Sequence, residues 1–239
     1  MHFRSLFFPA AILFAAGTVQ AAIENATLDA AYAAVEPRVI EWRRDLHQNP
    51  ELSNREFRTA KKVAEHLRAL KFDTVETGVA HTGVVGTLRG GKPGPVIALR
   101  ADMDGLPVQE QTGLPFASSA RGEYMGKDVP VMHACGHDTH VAMLMGAAQI
   151  LAQHREDLAG TVKFIFQPAE EGAPPGEEGG AALMVKEGVL EGPDAPEAII
   201  GLHVWPDDAG SLVYRSGSFM AAADSIEITI TGRQTHGSS

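Results

Sequence analysis

Apolar residues recur at helical spacing in two early stretches of the chain. Val35, Val39, Trp42 and Leu46 fall on one face of a helix predicted over roughly Leu28 to His47, and Phe57, Ala60, Val63 and Leu67 do the same over Asn54 to Leu70. Pro50 is expected to stop the first helix, and Ser53 or Asn54 to cap the second. Short apolar runs then predict strands at Thr74 to Thr77, Gly83 to Leu88, Val96 to Arg100, Thr161 to Phe166 and Ala198 to His203. Helices are predicted among the later strands at Thr139 to Gln153 and Ala181 to Glu187. The inner runs VIALR, VKFIF and AIIGLH are almost continuously apolar, the pattern of strands covered on both faces. Alternating with helices, they predict an α/β fold, an open and mostly parallel sheet with flanking helices. Ligands of such sheets collect beyond the carboxyl ends of the strands. Those ends carry Asp102 and Asp104, Glu170 and Glu171, and His203.

The pattern changes towards the end of the sequence. Ser211 to Tyr214 and Ser225 to Thr231 alternate polar and apolar residues between glycines, as strands of a half-exposed antiparallel sheet do. A boundary is expected near Gly217 to Asp224, giving a first domain over 22–220 and the beginning of a smaller one over 221–239. The Pro- and Gly-rich segment from Gly172 to Ala181 reads as a loop within the first domain. At the other end, Arg4 precedes an apolar run from Leu6 to Val19, followed by the small-residue site Val19-Gln20-Ala21. This predicts a cleavable signal over 1–21 and a periplasmic or secreted protein, with no membrane attachment after cleavage; an uncleaved anchor is the alternative.

With 239 residues, 44% of them hydrophobic and 21% charged, the chain has the composition of a folded globular protein. A net charge of -10 disfavours nucleic acid and anionic membranes as partners and favours small molecules or cations. Cys135 is the only cysteine, so an exported chain of this sequence has no internal disulfide. Its thiol is then buried, reactive or ligated.

The surroundings of Cys135 favour ligation. In HACGHDTH, Cys135 and His137 flank a glycine just before a predicted helix, whose positive end is expected to lower the thiol pKa. Thiolate with imidazole suits zinc and its transition-metal neighbours. His140 shares a helix face with His137 and is either a further ligand or, like Asp138, a support behind the ligands. In QPAEEG, Glu170 and Glu171 follow an apolar strand; extended backbone would point them to opposite sides, one to a metal and one to a substrate. That division suits hydrolysis in which a carboxylate takes the proton of a metal-activated water. Asp102 and Asp104 are two apart and share a side; either orients a ligand histidine or touches a metal.

The ordered set ALRADMDGLPVQE, MHACGHDTHVAMLMGAA, FIFQPAEEG and LHVWP resembles the zinc-dependent aminoacylase and carboxypeptidase group of metallohydrolases, in the branch of hippurate hydrolases and indole-acetyl-amino-acid hydrolases. The resemblance runs from about Ala30 to the end of the sequence. It implies a catalytic α/β domain interrupted by a smaller α/β lid that mediates dimerisation, so a homodimer is expected of a full-length member. It implies two divalent transition metal ions (Zn, Mn, Co or Ni) held by Cys135, His137, Glu171 and His203, with Cys135 as the bridge. Glu170 resembles the general base, Asp104 the orienting aspartate, and His236 the lid histidine that stabilises the oxyanion in the neighbouring subunit's site. The implied reaction is hydrolysis of the amide bond of N-acyl or N-aroyl amino acids, small-molecule substrates, to a carboxylic acid and a free amino acid. The family takes a final ligand histidine from a part that follows the lid. The present sequence is therefore expected to be truncated, inactive alone, and to expose an unpaired sheet edge. The competing readings are a non-catalytic periplasmic metal- or solute-binding protein, and a cysteine hydrolase using Cys135 with His137 or His133.

Overall fold

The computed structural model describes residues 24–220 together with 226, 228, 229, 231–233, 236 and 237. The expected signal over 1–21 lies outside the described residues. The chain divides into two units, Met1–Val204 and Trp205–Ser239, and all regular structure among the described residues belongs to the first.

Two helices open the first unit, α1 (Asn25–Gln48) and α2 (Phe57–Ala69). Their apolar faces are buried through Val35, Trp42 and Leu46, and through Val63, Ala64 and Leu67. Each fully buried Leu or Val is worth about 1.5–3 kcal/mol over an exposed one, which is why the helical spacing in the sequence was informative. Neither Ser53 nor Asn54 caps α2. Glu51 does so instead, its carboxylate oxygens accepting from the N–H groups of Arg58 and Thr59 at 2.9 and 2.8 Å. A carboxylate also meets the positive end of the helix dipole, an advantage that Ser and Asn lack.

The strands are β1 (Thr74–Val79), β2 (Gly83–Arg89), β3 (Lys92–Asp102), β4 (Arg121–Tyr124), β5 (Lys127–Pro130), β6 (Ala159–Gln167) and β7 (Ala198–Gly201). Helix α3 (His137–Gln153) lies between β5 and β6, and α4 (Gly180–Lys186) between β6 and β7. Five strands form one sheet in the order β1-β2-β6-β3-β7. β6, β3 and β7 are parallel, whereas β1 and β2 are antiparallel to their neighbours. On one face, α1, α2 and α3 pack Trp42, Leu46, Leu67, Val141 and Met145 with Val84, Phe164 and Phe166. On the other, α4 lays Met184 and Leu183 against Val85, Ala98 and Ile165. β4 and β5 make a separate hairpin that the sequence did not predict. Its two-residue turn, Met125-Gly126, has both φ angles positive (51° and 72°), the geometry that matches strand twist.

Register brings the three parallel strands to a common edge. Asp102 pairs with Gln167, and Arg100 with Gly201, so the segments after β3, β6 and β7 emerge side by side. One expectation fails here. β6 is buried over most of its length, but all four residues of β7 are exposed, Ile199 and Ile200 by about half. Among the described residues β7 is an edge strand, bonded within the sheet to β3 alone, and it stops at Gly201, short of His203. An apolar run shows what a strand is suited to bury; it does not show what covers it.

In the second unit, Ser211 to Tyr214 forms no strand among the described residues; the Ser211 N–H instead closes a local turn onto the Asp208 carbonyl at 3.1 Å. The alternating segment Ser225 to Thr231 lies partly outside the described residues.

Candidate metal centre

The predicted ligands leave the sheet edge from three places, the start of α3, the turn after β6 and the segment after β7. His137 begins α3, and Cys135 sits in the turn before it. Gly136 between them has φ +92°, a left-handed conformation that a side chain would strain. A Cβ there would also lie 2.3 Å from Val204 Cγ2. The glycine thus lets the His-Ala-Cys-Gly-His turn close against the segment carrying His203. Glu170 and Glu171 sit in a turn three and four residues beyond β6, preceded by Ala169 in the left-handed region at φ +47°.

His137 is the centre of the cluster. It is fully buried, and neither ring nitrogen has a hydrogen-bond partner among the described residues. Nδ1 lies 3.3 Å from Asp104 Oδ1 without the alignment of a hydrogen bond. Nε2 faces carboxylate oxygens of Asp102 at 3.7 Å, Glu170 at 3.7 Å and Glu171 at 3.8 Å. On the other side, Cys135 Sγ lies 3.4 Å from His203 Nε2, and His203 Nδ1 donates to the Val204 carbonyl at 2.6 Å. Ligand atoms of Cys135, His137 and His203 all fall within 4.8 Å of one another, as do those of His137, Glu170 and Glu171. An orphaned buried imidazole ringed by thiol, imidazole and carboxylate at this spacing fits a transition-metal cation with bonds of about 2.0–2.3 Å.

The adjacent acids do not diverge as extended backbone would make them. They lie in a turn, and both reach His137. Glu171 is the less exposed side chain, 23% against 38% for Glu170, and of the two it acts the more strongly on the Cys135 thiol. Glu171 therefore belongs to the Cys135 side, and Glu170 to the open side.

Behind these residues, two aspartates do different work. Asp104 accepts from the N–H of Glu170 through Oδ1 and of Glu171 through Oδ2, each at 3.0 Å, and from Ser53 Oγ at 2.8 Å. It holds the acidic turn, with His137 Nδ1 3.3 Å away. Asp102 is bound by Arg100 at 2.7 Å and by His140 Nδ1 at 2.6 Å. His140 Nε2 accepts the Val204 N–H at 2.9 Å, so the proton lies on Nδ1 and no lone pair remains for a metal. His140 ties the end of β3 to the His203 segment. Asp138 points elsewhere, accepting from His47 Nδ1 and pairing with Arg43, both at 2.9 Å.

Carboxylates dominate the electrostatics of the site. Burial pushes the Cys135 thiol up, and its hydrogen bond and repulsion with Glu171, together with Glu170 and Asp102, bring it to about 12. The expected lowering by the helix end is outweighed, because several nearby carboxylates exceed half a charge of dipole. Burial also raises Glu170, with Asp102 adding to it. Burial opposes ionisation of Asp102, but the hydrogen bond from His140 and the charges of His137 and Arg100 prevail and hold it at about 2. His137 is raised: desolvation works against its protonation, and Asp104, Asp102 and Glu171 overcome it. Burial holds His133 down at about 4, which makes it a weak base for taking a proton from Cys135. A divalent cation would invert this balance, neutralising the acids and favouring the thiolate.

His236, by contrast, belongs to the second unit, where it is exposed. Several residues of the first unit escaped sequence reasoning. His47 bridges Asp138 and, at 3.1 Å, Glu110; the Asp138 hydrogen bond in particular raises its pKa. Arg100 holds both Asp102 and, at 2.9 Å, Gln167. Glu56 accepts from the Ala169 N–H at 2.8 Å and from the Thr82 hydroxyl.

Known proteins share this arrangement of sequence. The chain is 45% identical over 206 residues to thermostable carboxypeptidase 2 of Saccharolobus solfataricus, covering 85% of this chain and 49% of that one. It is 45% identical over 204 residues to an N-acetylcysteine deacetylase of Bacillus subtilis, covering 85% and 50%. The chain thus spans about half the length of the curated relatives it matches. Among solved structures it is similar to a Bacillus subtilis dinuclear metal-binding peptidase of the M20 family, with a TM-score of 0.63, 45% identity, and coverage of 73% of this chain and 45% of that one. The family model for peptidase family M20/M25/M40 matches residues 98–235, more than half of the sequence and all four candidate ligands, and the chain belongs to that family.

Proposed function

We propose that this chain carries the metal-binding half of the active site of an amidohydrolase that cleaves N-acyl or N-aroyl amino acids. The observation that supports it most is the orphaned, fully buried His137 between Cys135, His203 and two glutamates. Relatives named as a deacetylase and a carboxypeptidase act on amide bonds next to an amino acid, and they support the substrate class. Cys135, His137, Glu171 and His203 would hold two divalent transition metal ions. When bound, these supply Lewis-acid activation of water and of the amide carbonyl.

The protein's own groups then move the proton. Glu170, on the open side of the cluster, takes it from the attacking water on a carboxylate oxygen and returns it to the leaving nitrogen. Its raised pKa suits both halves of that task, since the base must also become the acid. Asp104 keeps Glu170 in place through the backbone N–H and aligns His137. In this reading His236 stabilises the oxyanion from the lid of a homodimer, and the N-terminal apolar run exports the protein.

The test is Glu170→Gln in the active enzyme, assayed on an N-acetyl or N-benzoyl amino acid. Turnover is expected to fall by at least about 10²-fold while metal content stays unchanged. Turnover within a few-fold of the parent would remove Glu170 from the role.

A further inference from the structure

We propose that Glu56 is a positioning residue for the acidic turn of the metal centre, holding Glu170 and Glu171 in place through the backbone of Ala169; the proposal rests on the reading of that turn as metal-binding. Glu56 is completely buried at the start of α2. A carboxylate at that position normally caps its own helix. This one makes no cap, because Glu51 already holds the N–H groups of Arg58 and Thr59. Glu56 faces the other way. Oε1 accepts from the Ala169 N–H at 2.8 Å, and Oε2 accepts from the Thr82 hydroxyl.

The bond to Ala169 completes a pattern. The N–H groups of Ala169, Glu170 and Glu171 go in succession to Glu56 Oε1, Asp104 Oδ1 and Asp104 Oδ2. Two buried carboxylates thus hold three consecutive backbone donors. The first of the three belongs to a buried non-glycine residue at φ +47°, a conformation that persists when surrounding bonds enforce it. The residues before Glu56 grip the same loop further on. Asn54 Nδ2 donates to the Glu178 carbonyl at 3.0 Å, and Arg55 pairs with Glu177. Ser53 donates to Asp104 itself. The segment predicted to cap a helix is instead a clasp on the turn bearing a metal ligand and the proposed base. Partners of this kind typically change metal affinity by 10–100-fold when removed.

A cobalt(II) titration of the apoprotein reads the effect without turnover, since ligation by Cys135 produces a thiolate-to-cobalt absorption band. The parent, Glu56→Ala, Glu56→Gln and Thr82→Val are compared, with Val63→Ala as a core truncation in the same helix that does not reach the turn. Glu56→Ala is expected to keep the band but to need roughly tenfold more cobalt for saturation. Glu56→Gln retains an acceptor for Ala169 and a donor for Thr82, and should titrate within about threefold of the parent. Thr82→Val should weaken binding by a few-fold, and it carries the test if Glu56→Ala does not fold. Val63→Ala should lower the melting temperature and leave the titration where it is. A folded Glu56→Ala protein that titrates like the parent overturns the proposal. So does Glu56→Gln as weak as Glu56→Ala, an unchanged Thr82→Val where Glu56→Ala does not fold, or Val63→Ala as weak as either. Absence of the thiolate band in the parent overturns the metal reading itself, and this proposal with it.

Discussion

At the scale of single residues, hydrogen bonds separate ligands from supports where spacing in the sequence does not. His137 and His140 share a helix face, yet His140 has both nitrogens engaged and His137 has neither. The ligand candidates were legible because Cys, His and Glu at strand ends are chemically distinctive. Glu56 was not, because an acid opening a helix is ordinary and its partner Ala169 lies 113 residues away. It also makes a pH prediction. Burial raises the Glu56 carboxyl from 4.5 to about 7, so the folded state holds its proton more tightly than the unfolded chain. Its contribution to stability is fully present below about pH 4.5 and is lost as pH rises through 7, a change on the order of 3 kcal/mol. Urea unfolding should therefore show the Glu56→Gln variant gaining on the parent between pH 5 and pH 8. A difference between the two that is independent of pH would show that Glu56 does not titrate in this window.

Elements reveal which local signals were sufficient. The helical spacing of α1 and α2 and the apolar run of β6 report burial that the structure contains. The β4–β5 hairpin was hidden because RGEY and KDVP are short and polar, and because Met125 is an uncommon residue for a positive φ. The turn before α3 shows the reverse case, in which one glycine decides an element's relation to its neighbours. Gly136→Ala meets both a left-handed backbone and the methyl of Val204. It is expected to cost roughly 1–3 kcal/mol of stability. Displacing Val204 would also loosen its bond to His140 and shift His203, so metal affinity should fall together with stability. Thermal unfolding and a metal titration on one preparation check both effects. Stability lost with affinity intact would mean that the turn is not coupled to the ligands.

For the whole molecule, the parallel strands explain why candidate ligands from three separated stretches of sequence, and the aspartates that support them from a fourth, converge on one edge. The mostly parallel order was readable from continuous apolar runs. The exposure of β7 was not, because nothing within a strand states whether a neighbour lies beyond it. The chain spans about half the length of the relatives it matches, and β7 offers Ile199, Ile200 and an edge that no other strand of the described residues pairs. The proposed metal site nevertheless lies inside the first unit, where Cys135, His137, Glu171 and His203 would bind transition metal. Elemental analysis after exhaustive dialysis, on the parent and on Cys135→Ser and His137→Gln variants, tests that claim most directly. Zinc, manganese, cobalt or nickel is expected to be retained by the parent at about one ion per chain or more, and to be at least tenfold depleted in both variants. A metal-free parent, or variants that retain as much metal as the parent, would contradict it.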